Sequence, residues 1–556
     1  MSSQPNSKSE SDSLPIIPLP IVLRLAVAFA LLAMVLGIAA KNMVVDLDLF
    51  HEMSLYRQME SENKMPRTDA FAYTPTVEPV VHHEWATGAV MYWASVTSGL
   101  GGMGIVLVKY FLTFGICIGC FLIAVRRGAS QASFAILAPL ALLVGGGMAF
   151  TNVRAQLFTL FFFVILFFLI ELDRMGKRWW IAAWCLMFVA WGNIHGGVLS
   201  GLGMLGVYGF VRMVEAYLET RSLSKTFFRV AHLLGVGVVS FLLLYVNPYG
   251  SDYVPYLFRA VTMPRPNIVE WWPLYQVKSP LFFLVSAAIA VYAISYRGKE
   301  NLFESLALVL TAYLAWKHYR HGSLYAVTWA CFVPPMISRT GLGESFGGLW
   351  KKHPTKVAVV AFAIGVIALG FSFNAKFWKL RVPNQREVAS KRITTFPVGA
   401  CAYLRDQNFK GNLFVPFVAG AYVSWELYPE VKVSIDSRYE VAYPIGALEE
   451  ETAFCTAADN WEAILNKYDT QAVLIPVELP IARVLESRLA TEEPSKGGVQ
   501  PVSSAGSFGW KLVYQDNTYA LYVNASLADS LPILDRRNEF IEGVIVGQIV
   551  PDNSKH

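Results

Sequence analysis

The clearest candidates for chemistry are two aspartates that follow the first long apolar segment. Asp46 and Asp48 are separated by one residue, and His51 and Glu52 follow within a helical turn. Carboxylates at this spacing can hold one hard cation, such as Mg²⁺ or Mn²⁺, when the chain is extended. Alternatively, one carboxylate removes a proton from a hydroxyl while the other orients it. The pattern predicts a catalytic pair or a divalent-cation site, although acidic residues after a membrane span also occur in ordinary solvated loops.

Cationic side chains elsewhere could complement these carboxylates. Arg154 and Gln156 stand between two apolar segments, and Arg320 and His321 end the short polar run KHYRH. Arginine binds phosphate oxygens through paired hydrogen bonds. Carboxylates facing arginines suit a substrate with a phosphate leaving group, because the cations neutralise the departing charge. The competing interpretation is that both arginines extend to lipid headgroups.

Further polar motifs at the ends of apolar segments complete the candidate site. HHEW, NIHGG and EWWP carry histidines, carboxylates and tryptophans, and Trp271, Trp272 and Tyr275 form either a sugar-stacking platform or an interfacial aromatic belt. Polar residues close to a bilayer are costly and usually line a functional cavity. The candidate substrate-binding residues are His51, Glu52, His83, Glu84, Arg154, Gln156, His195, Glu270, Arg320 and His321.

The composition shows what must position these residues. Of the 556 residues, 54% are hydrophobic and only 16% are charged, with a mean hydropathy of +0.42. Soluble domains carry about 25% charged residues. These values exclude an ordinary cytosolic enzyme and a disordered protein, and they favour a polytopic membrane protein.

About eleven apolar segments approach the roughly 20 residues that cross a bilayer as a helix. They are 19–40, 103–125, 133–150, 156–171, 179–194, 198–218, 230–247, 280–296, 302–317, 323–338 and 356–373. We therefore predict a disordered cytoplasmic N-terminus at 1–18, a transmembrane domain at 19–378 with a long first outer loop at 41–102, and a soluble α/β domain at 379–556. Residues 84–98 are apolar but short, and we predict an interfacial helix there.

The distribution of basic residues predicts the orientation. With 84–98 at the surface, the loops on the N-terminal side hold 15 Lys and Arg in 59 residues, whereas the opposite loops hold 10 in 110 residues. Basic residues concentrate on the cytoplasmic side of membrane proteins. We therefore predict a multi-pass protein of the bacterial cytoplasmic (inner) membrane, with a cytoplasmic N-terminus and an extracytoplasmic C-terminal domain. All the polar motifs above then lie on the outer side.

The order of these features resembles the GT-C superfamily of membrane glycosyltransferases. DLDLFHEMSLYRQMES is similar to that family's acidic motif and first interfacial helix, HHEWATGAVMYWASV to its second, and NVRAQ to a further polar motif. The chain also resembles bacterial GT-C-like multi-pass proteins marked by DxD, PRTDxFxYT, HEW, RxQ, HGG and NPYG. The resemblance implies a GT-C fold, a polyprenyl-phosphate-linked donor, and Asp46 or Asp48 as the carboxylate that activates the acceptor, with or without a divalent cation.

The tail departs from one branch of that family. Oligosaccharyltransferases carry a WWDYG-type motif in their soluble domain, and the tail has none. Its apolar runs predict strands at 412–417, 431–437, 472–477, 510–516 and 519–523 between amphipathic helices. Asp436 and Arg438, after the second strand, form a local ion pair or reach the membrane-side cavity. Transfer of a single sugar is therefore easier to defend than N-glycan transfer.

The sequence thus predicts a glycosyltransferase of class EC 2.4. It would move a sugar from a polyprenyl-phosphate donor to an envelope lipid, glycan or protein, with membrane lipid rather than nucleic acid as its surroundings. One alternative is a polymerase or ligase of lipid-linked polysaccharide, which would depend more on outer arginines and histidines than on carboxylates. Another is a transporter or envelope assembly factor, for which Lys109, inside an apolar segment, is the main ionisable candidate.

Overall fold

A computed structural model describes residues 19–146, 150–266, 268–385, 395–492, 509–528, 530–539 and 541. The predicted disordered segment 1–18 lies outside the described residues. Two structural parts follow one another along the chain: a helical part that ends near residue 374 and a mixed α/β part.

The helical part contains sixteen α-helices among the described residues. They are α1 (Leu19–Ala40), α2 (Leu47–Glu62), α3 (Trp85–Tyr92), α4 (Gly102–Arg126), α5 (Gln131–Gly145), α6 (Ala155–Arg174), α7 (Trp180–Ile194), α8 (Val198–Thr220), α9 (Leu223–Leu243), α10 (Tyr253–Thr262), α11 (Leu274–Val277), α12 (Leu281–Arg297), α13 (Leu302–Lys317), α14 (Gly322–Ile337), α15 (Gly341–Lys352) and α16 (Pro354–Asn374). Short 3₁₀ turns, including Val269–Trp271 and Tyr319–His321, connect some of them.

Every segment predicted to cross the membrane contains one of these helices. By length and composition, seven of the described helices could span a bilayer: α1, α4, α6, α8, α9, α12 and α16. Helices α5 and α7 are apolar but shorter, and α13 and α14 have 16 residues each. The chain is therefore a multi-pass membrane protein. The ambiguous segment 84–98 forms α3 and a π-helical turn at Trp93–Thr97.

Helices α1 and α16 pack side by side in the same direction. A Cβ atom at Gly365 would lie 2.5 Å from the ring of Phe29, so only glycine permits this approach. Further along, Gly37 lies against Ala368. Small residues allow helices to approach closely in membranes, where dispersion contacts stabilise the pairing. Because the two helices run in parallel, the chain leaves α16 at the same end at which it leaves α1.

The C-terminal part is an α/β domain with one mixed sheet, as the alternation of strand-like and helical segments predicts. Its helices and strands are α17 (Val398–Asp406), β1 (Gly411–Phe414), α18 (Phe417–Leu427), β2 (Val431–Val433), α19 (Ala447–Cys455), α20 (Trp461–Leu465), β3 (Ala472–Pro476), α21 (Pro480–Glu492), β4 (Trp510–Gln515), β5 (Tyr519–Asn524), α22 (Ala525–Ala528) and β6 (Leu534–Asp535). The strand order is β2-β1-β3-β5-β4-β6. Strand β1 pairs in parallel with β2 and β3, and β5 is antiparallel to β3 and β4.

Two backbone contacts join this domain to the segment that follows α1. Arg381 N donates to Met43 O at 2.8 Å, and Val45 N donates to Arg381 O at 3.0 Å. Farther on, Val433 N donates to Phe71 O at 2.9 Å, and Tyr73 N donates to Val433 O at 3.1 Å. The motif PRTDAFAYT therefore lies as an added edge beside β2, and it attaches the first outer segment to the α/β domain.

Candidate functional site

Three carboxylates converge on one guanidinium at one end of the helices. Asp46 is the N-cap of α2 and accepts from Asp48 N at 3.2 Å, a position and an interaction that stabilise a helix N-terminus. Arg154, the N-cap of α6, donates from Nε to Asp46 Oδ2 at 3.0 Å. Its two other nitrogens contact Asp48 and Glu270. The acidic motif, NVRAQ and EWWP are thus joined at Arg154.

The buried side chain of Lys109 connects the two segments that carry these residues. Lys109 lies two turns into α4, and its Nζ donates to Thr151 O at 2.6 Å and to Asn42 O at 3.0 Å. Asn42 in turn donates to Asn152 Oδ1 at 2.8 Å, and Asn152 donates to Asp46 Oδ2 at 3.3 Å. The lysine therefore joins the two segments that carry Asp46 and Arg154. Its contacts are those of a positioning residue.

The HHEW motif forms a second cluster around Glu84. Glu84 Oε1 lies 3.2 Å from His83 Nε2 and 3.3 Å from His195 Nε2. The Glu52 carboxyl also hydrogen-bonds Glu84, while its own Oε2 is buried without a partner. His83 Nδ1 is 2.9 Å from the hydroxyl of Tyr256. Helices α2, α3, α7 and α10 therefore meet at this carboxylate.

The hydrogen-bond network assigns the tautomer of His195. Gly197 N donates to His195 Nδ1 at 3.0 Å, and the Thr159 hydroxyl, which accepts from Trp191 Nε1, lies 2.7 Å from the same nitrogen. Nδ1 is thus an acceptor, and the neutral ring carries its hydrogen on Nε2, facing Glu84. A Cβ at Gly197 would lie 2.5 Å from His195 Nδ1, so the glycine of NIHGG permits this contact.

Burial controls protonation in this cluster. Burial and the negative charge of Glu84 raise the pKa of Glu52 well above its ordinary value, which favours the protonated form of Glu52. Burial alone would also raise the pKa of Glu84, but His83, His195 and the hydrogen bond from Glu52 outweigh it and hold that pKa well below its usual range. Burial lowers the pKa of His195 to about 4. The cluster therefore presents one carboxylate, one carboxylic acid and a neutral imidazole.

Arginines and one tryptophan form another wall. The Arg320 guanidinium lies 4.6 Å from the centre of the Trp271 ring, and that of Arg265 lies 4.4 Å from it. With the Gln156 amide oxygen turned towards it, Arg320 Nε donates at 3.3 Å. Among the described residues Arg320 forms no ion pair with a carboxylate. Its charge is therefore available to an anionic ligand.

The α/β domain closes the site. Ser437 Oγ lies 3.0 Å from His51 Nδ1. Arg438 binds both oxygens of Asp436, with Nη2 to Oδ2 at 2.7 Å, and also contacts Asp69 of the PRTD motif. Asp436 and Arg438 therefore form the local ion pair, and Arg438 also lines the cavity.

These walls enclose a cavity of about 300 Å³. Ten of the twelve predicted site residues line it: Asp48, His51, Glu52, His83, Glu84, Arg154, Gln156, His195, Glu270 and Arg320. Asp46 lies behind the wall on Arg154, and the ring of His321 lies 6.1 Å from that of Trp271, outside the lining. The prediction omitted Arg265, Phe417, Ser437, Arg438 and Tyr439 from the site. Only Asp436 and Arg438 carried a signal in the sequence, as charged residues at the end of a buried strand.

The predicted sugar-stacking platform is reduced to one ring. Trp271 lines the cavity. Trp272 donates from Nε1 to Pro266 O at 2.7 Å, and the ring of Tyr275 packs against Trp316 with centres 5.3 Å apart. Neither of the latter two is among the residues that line the cavity. Of these three predicted rings, Trp271 is therefore the one that can contact a substrate in this cavity.

The acidic motif does not fit a divalent cation as it stands. Within the described ranges no group of three or more His, Cys, Asp or Glu residues could hold a metal ion. The carboxylates of Asp46 and Asp48 point instead at the Arg154 guanidinium. The predicted Mg²⁺ or Mn²⁺ site at these residues stays a prediction that would require Arg154 to move.

Comparisons with known proteins give a similarity at the level of structure. Neither a protein-family model nor a curated protein matches the chain. The chain is similar to the solved structure of the oligosaccharyltransferase AglB from the archaeon Archaeoglobus fulgidus, in complex with an inhibitory peptide and a dolichol-phosphate. The TM-score is 0.47 at 10% identity, over 83% of this chain and 69% of that one.

Proposed function

We propose that this protein transfers a sugar from a polyprenyl-phosphate-linked donor to an acceptor of the cell envelope. The observation that carries the proposal is a cavity lined both by a carboxylate, Asp48, and by a guanidinium, Arg320, that forms no ion pair with a carboxylate among the described residues. With the predicted orientation, this cavity opens on the outer face of the cytoplasmic membrane. The resemblance to GT-C glycosyltransferases supports the same class of donor.

Arg320 binds the phosphate in this proposal. A guanidinium forms strong, charge-assisted hydrogen bonds to phosphate oxygens. The face of Trp271 and the Gln156 amide hold Arg320 in position without neutralising it. Its positive charge stabilises the phosphate as negative charge develops on the leaving oxygen.

Asp48 removes the proton from the acceptor hydroxyl. The acceptor oxygen bonds to the anomeric carbon of the sugar while the bond from that carbon to the phosphate oxygen breaks. The phosphate leaves with the bonding electron pair, and the hydroxyl proton passes to Asp48. Asp48 is chosen over Asp46 because its side chain is 25% exposed and lines the cavity, whereas that of Asp46 is 8% exposed behind it.

The Glu84 cluster orients the sugar. The carboxylate of Glu84 accepts hydrogen bonds, and the rings of His83 and His195 pair with it on the cavity wall. Sugar hydroxyls both donate and accept, so a wall of fixed donors and acceptors selects one orientation. This role explains why the histidines lie beside a carboxylate and away from the arginine wall.

Binding of undecaprenyl phosphate to the purified protein in detergent, measured by isothermal titration calorimetry, tests the proposal. Loss of one charge-assisted contact is worth about 1.5–3 kcal/mol, or about 10- to 100-fold in affinity. Arg320→Met should weaken binding by that factor. Arg259→Met, which changes an exposed arginine, is the matched control and should bind as the wild type does. Equal binding by Arg320→Met and the wild type would overturn the assignment of the phosphate site.

A further inference from the structure

Three carboxyl groups surround Arg154, which carries a single positive charge. Its three side-chain nitrogens are all engaged, by Asp46, Asp48 and Glu270. These carboxylates come from the N-terminus of α2 and from the 3₁₀ turn before α11. Three carboxylates converging from separate segments are the arrangement in which a protein commonly holds a hard cation.

Neutral groups hold the carboxylates independently of any cation. Asn152 donates to Asp46 Oδ2, and Asp48 N donates to Asp46 Oδ1. Asn42 fixes Asn152, and Lys109 fixes the carbonyls of Asn42 and Thr151. The backbone around the acidic motif is thus determined by hydrogen bonds, and the guanidinium supplies the positive charge at its centre.

The same contacts make Arg154 a poor phosphate ligand. A guanidinium that already binds three carboxylates carries no net positive charge towards the cavity. Arg320, which has no carboxylate partner among the described residues, is better placed for that task. The two outer arginines therefore have different tasks, although the sequence predicted one task for both.

We infer that the Arg154 guanidinium occupies the place of a divalent cation in the acidic motif, so that Asp48 is oriented by an arginine and needs no metal. This inference rests on the proposed function only for the role of Asp48. The position of the Arg154 charge among the three carboxylates does not depend on which reaction the protein catalyses. Arg154 is then a positioning residue that acts through Asp48.

The test is a titration of the purified protein with Mn²⁺, followed by electron paramagnetic resonance of free Mn²⁺. The wild type should show no saturable site at millimolar Mn²⁺. Arg154→Gln, which removes the charge at similar length, should gain one site with a dissociation constant of about 10⁻³ M or tighter. Arg154→Lys keeps a positive charge and should gain none. The double variant Arg154→Gln, Asp48→Asn should lose the gained site.

Two results would overturn the inference: a saturable site in the wild type that Asp48→Asn removes, or no gain in a folded Arg154→Gln variant. If Arg154→Gln does not fold, the wild-type titration compared with Asp48→Asn decides. Because Mn²⁺ binding is measured without substrate, failure of sugar transfer would leave this result standing. Conversely, if the wild type transfers sugar but has a saturable Mn²⁺ site that Asp48→Asn removes, only this inference is rejected and the proposed function stands.

Discussion

At the scale of single residues, protonation states divide the site into two centres. Arg154 joins three carboxylates through ion pairs, whereas burial raises the pKa of Glu52 well above its ordinary value and lowers the pKa of His195 to about 4. Sequence reasoning identified most of these residues because each is polar beside an apolar segment. Their pKa shifts could not be predicted from the sequence, because the burial and the charged partners that cause these shifts come from other helices.

The pH dependence of transfer should depend on Asp46. Burial, reinforced by the charge of Asp48, raises the pKa of Asp46 to about 7. Only the ionised form accepts the ion pair from Arg154, so the rate should fall about tenfold per pH unit below pH 7 and level off above it. The folded protein binds this proton more tightly than the unfolded chain does. Asp46 therefore lowers the stability of the fold as pH rises from about 4 to about 7.

The measurement is the initial rate between pH 5.5 and pH 8.5 for the wild type and Asp46→Asn. The variant has no proton to lose at this position, so its profile should lack the limb below pH 7. An identical limb in both proteins would show that another group titrates.

At the scale of elements, the PRTD segment and β2 hold the two parts of the molecule together. Asp69 and Arg438 form an ion pair whose side chains are both 1% exposed. Asp69 Oδ2 also accepts from Ala72 N at 2.7 Å, which shapes the turn before the added edge. Without the Asp69 carboxylate, Arg438 would keep its ion pair with Asp436 but lose its charge-assisted contact with the PRTD segment. The position of Arg438 at the cavity wall therefore depends on this contact.

Asp69→Asn should lower the free energy of unfolding by about 1.5–3 kcal/mol, the contribution of a hydrogen bond to a charged group, and reduce activity, as measured by thermal unfolding in detergent and by sugar transfer. Asp252→Asn is the matched control, because it breaks the exposed Arg67–Asp252 pair at the start of the same motif. That change should cost about 1 kcal/mol or less. Equal losses in both variants would contradict a specific role for the buried pair.

The apolar segments and the alternation in the tail predicted most helices and five of the six strands, because length and periodicity are local properties of the chain. The contacts that close the cavity are not local. His51 and Ser437 are 386 residues apart in sequence, and nothing in either neighbourhood predicts their contact. Helix α18 was missed because its apolar residues and glycine lack a clear helical stripe. The motif PRTDAFAYT was placed in an outer loop, but its pairing with β2 depends on a strand more than 350 residues away.

At the scale of the whole molecule, the parallel packing of α1 and α16 places the acidic motif and the α/β domain at one end of the helices. The predicted orientation puts that end outside the cytoplasm. Exposed positions at the two ends, Lys299 and Asp459, distinguish this orientation from its inverse.

In intact cells, a membrane-impermeant maleimide should label Asp459→Cys, once the outer membrane is permeable, and should label Lys299→Cys only after lysis. The parent protein, with its own six cysteines, supplies the background. Labelling of Lys299→Cys in intact cells together with protection of Asp459→Cys would reverse the orientation and place the cavity on the cytoplasmic face.

The most direct test of the proposed function is release of polyprenyl phosphate from polyprenyl-phosphate-linked sugars by the purified protein with an envelope extract as acceptor. The wild type should release it from at least one donor in a panel of sugars. Asp48→Asn should be slower by about 10²- to 10⁴-fold, the usual contribution of a general base. Asp459→Asn, at an exposed position far along the chain, should match the wild type. Full activity in a folded Asp48→Asn variant would contradict the account, and if Arg320→Ala alone abolished release, the chemistry of a polymerase or ligase would be favoured.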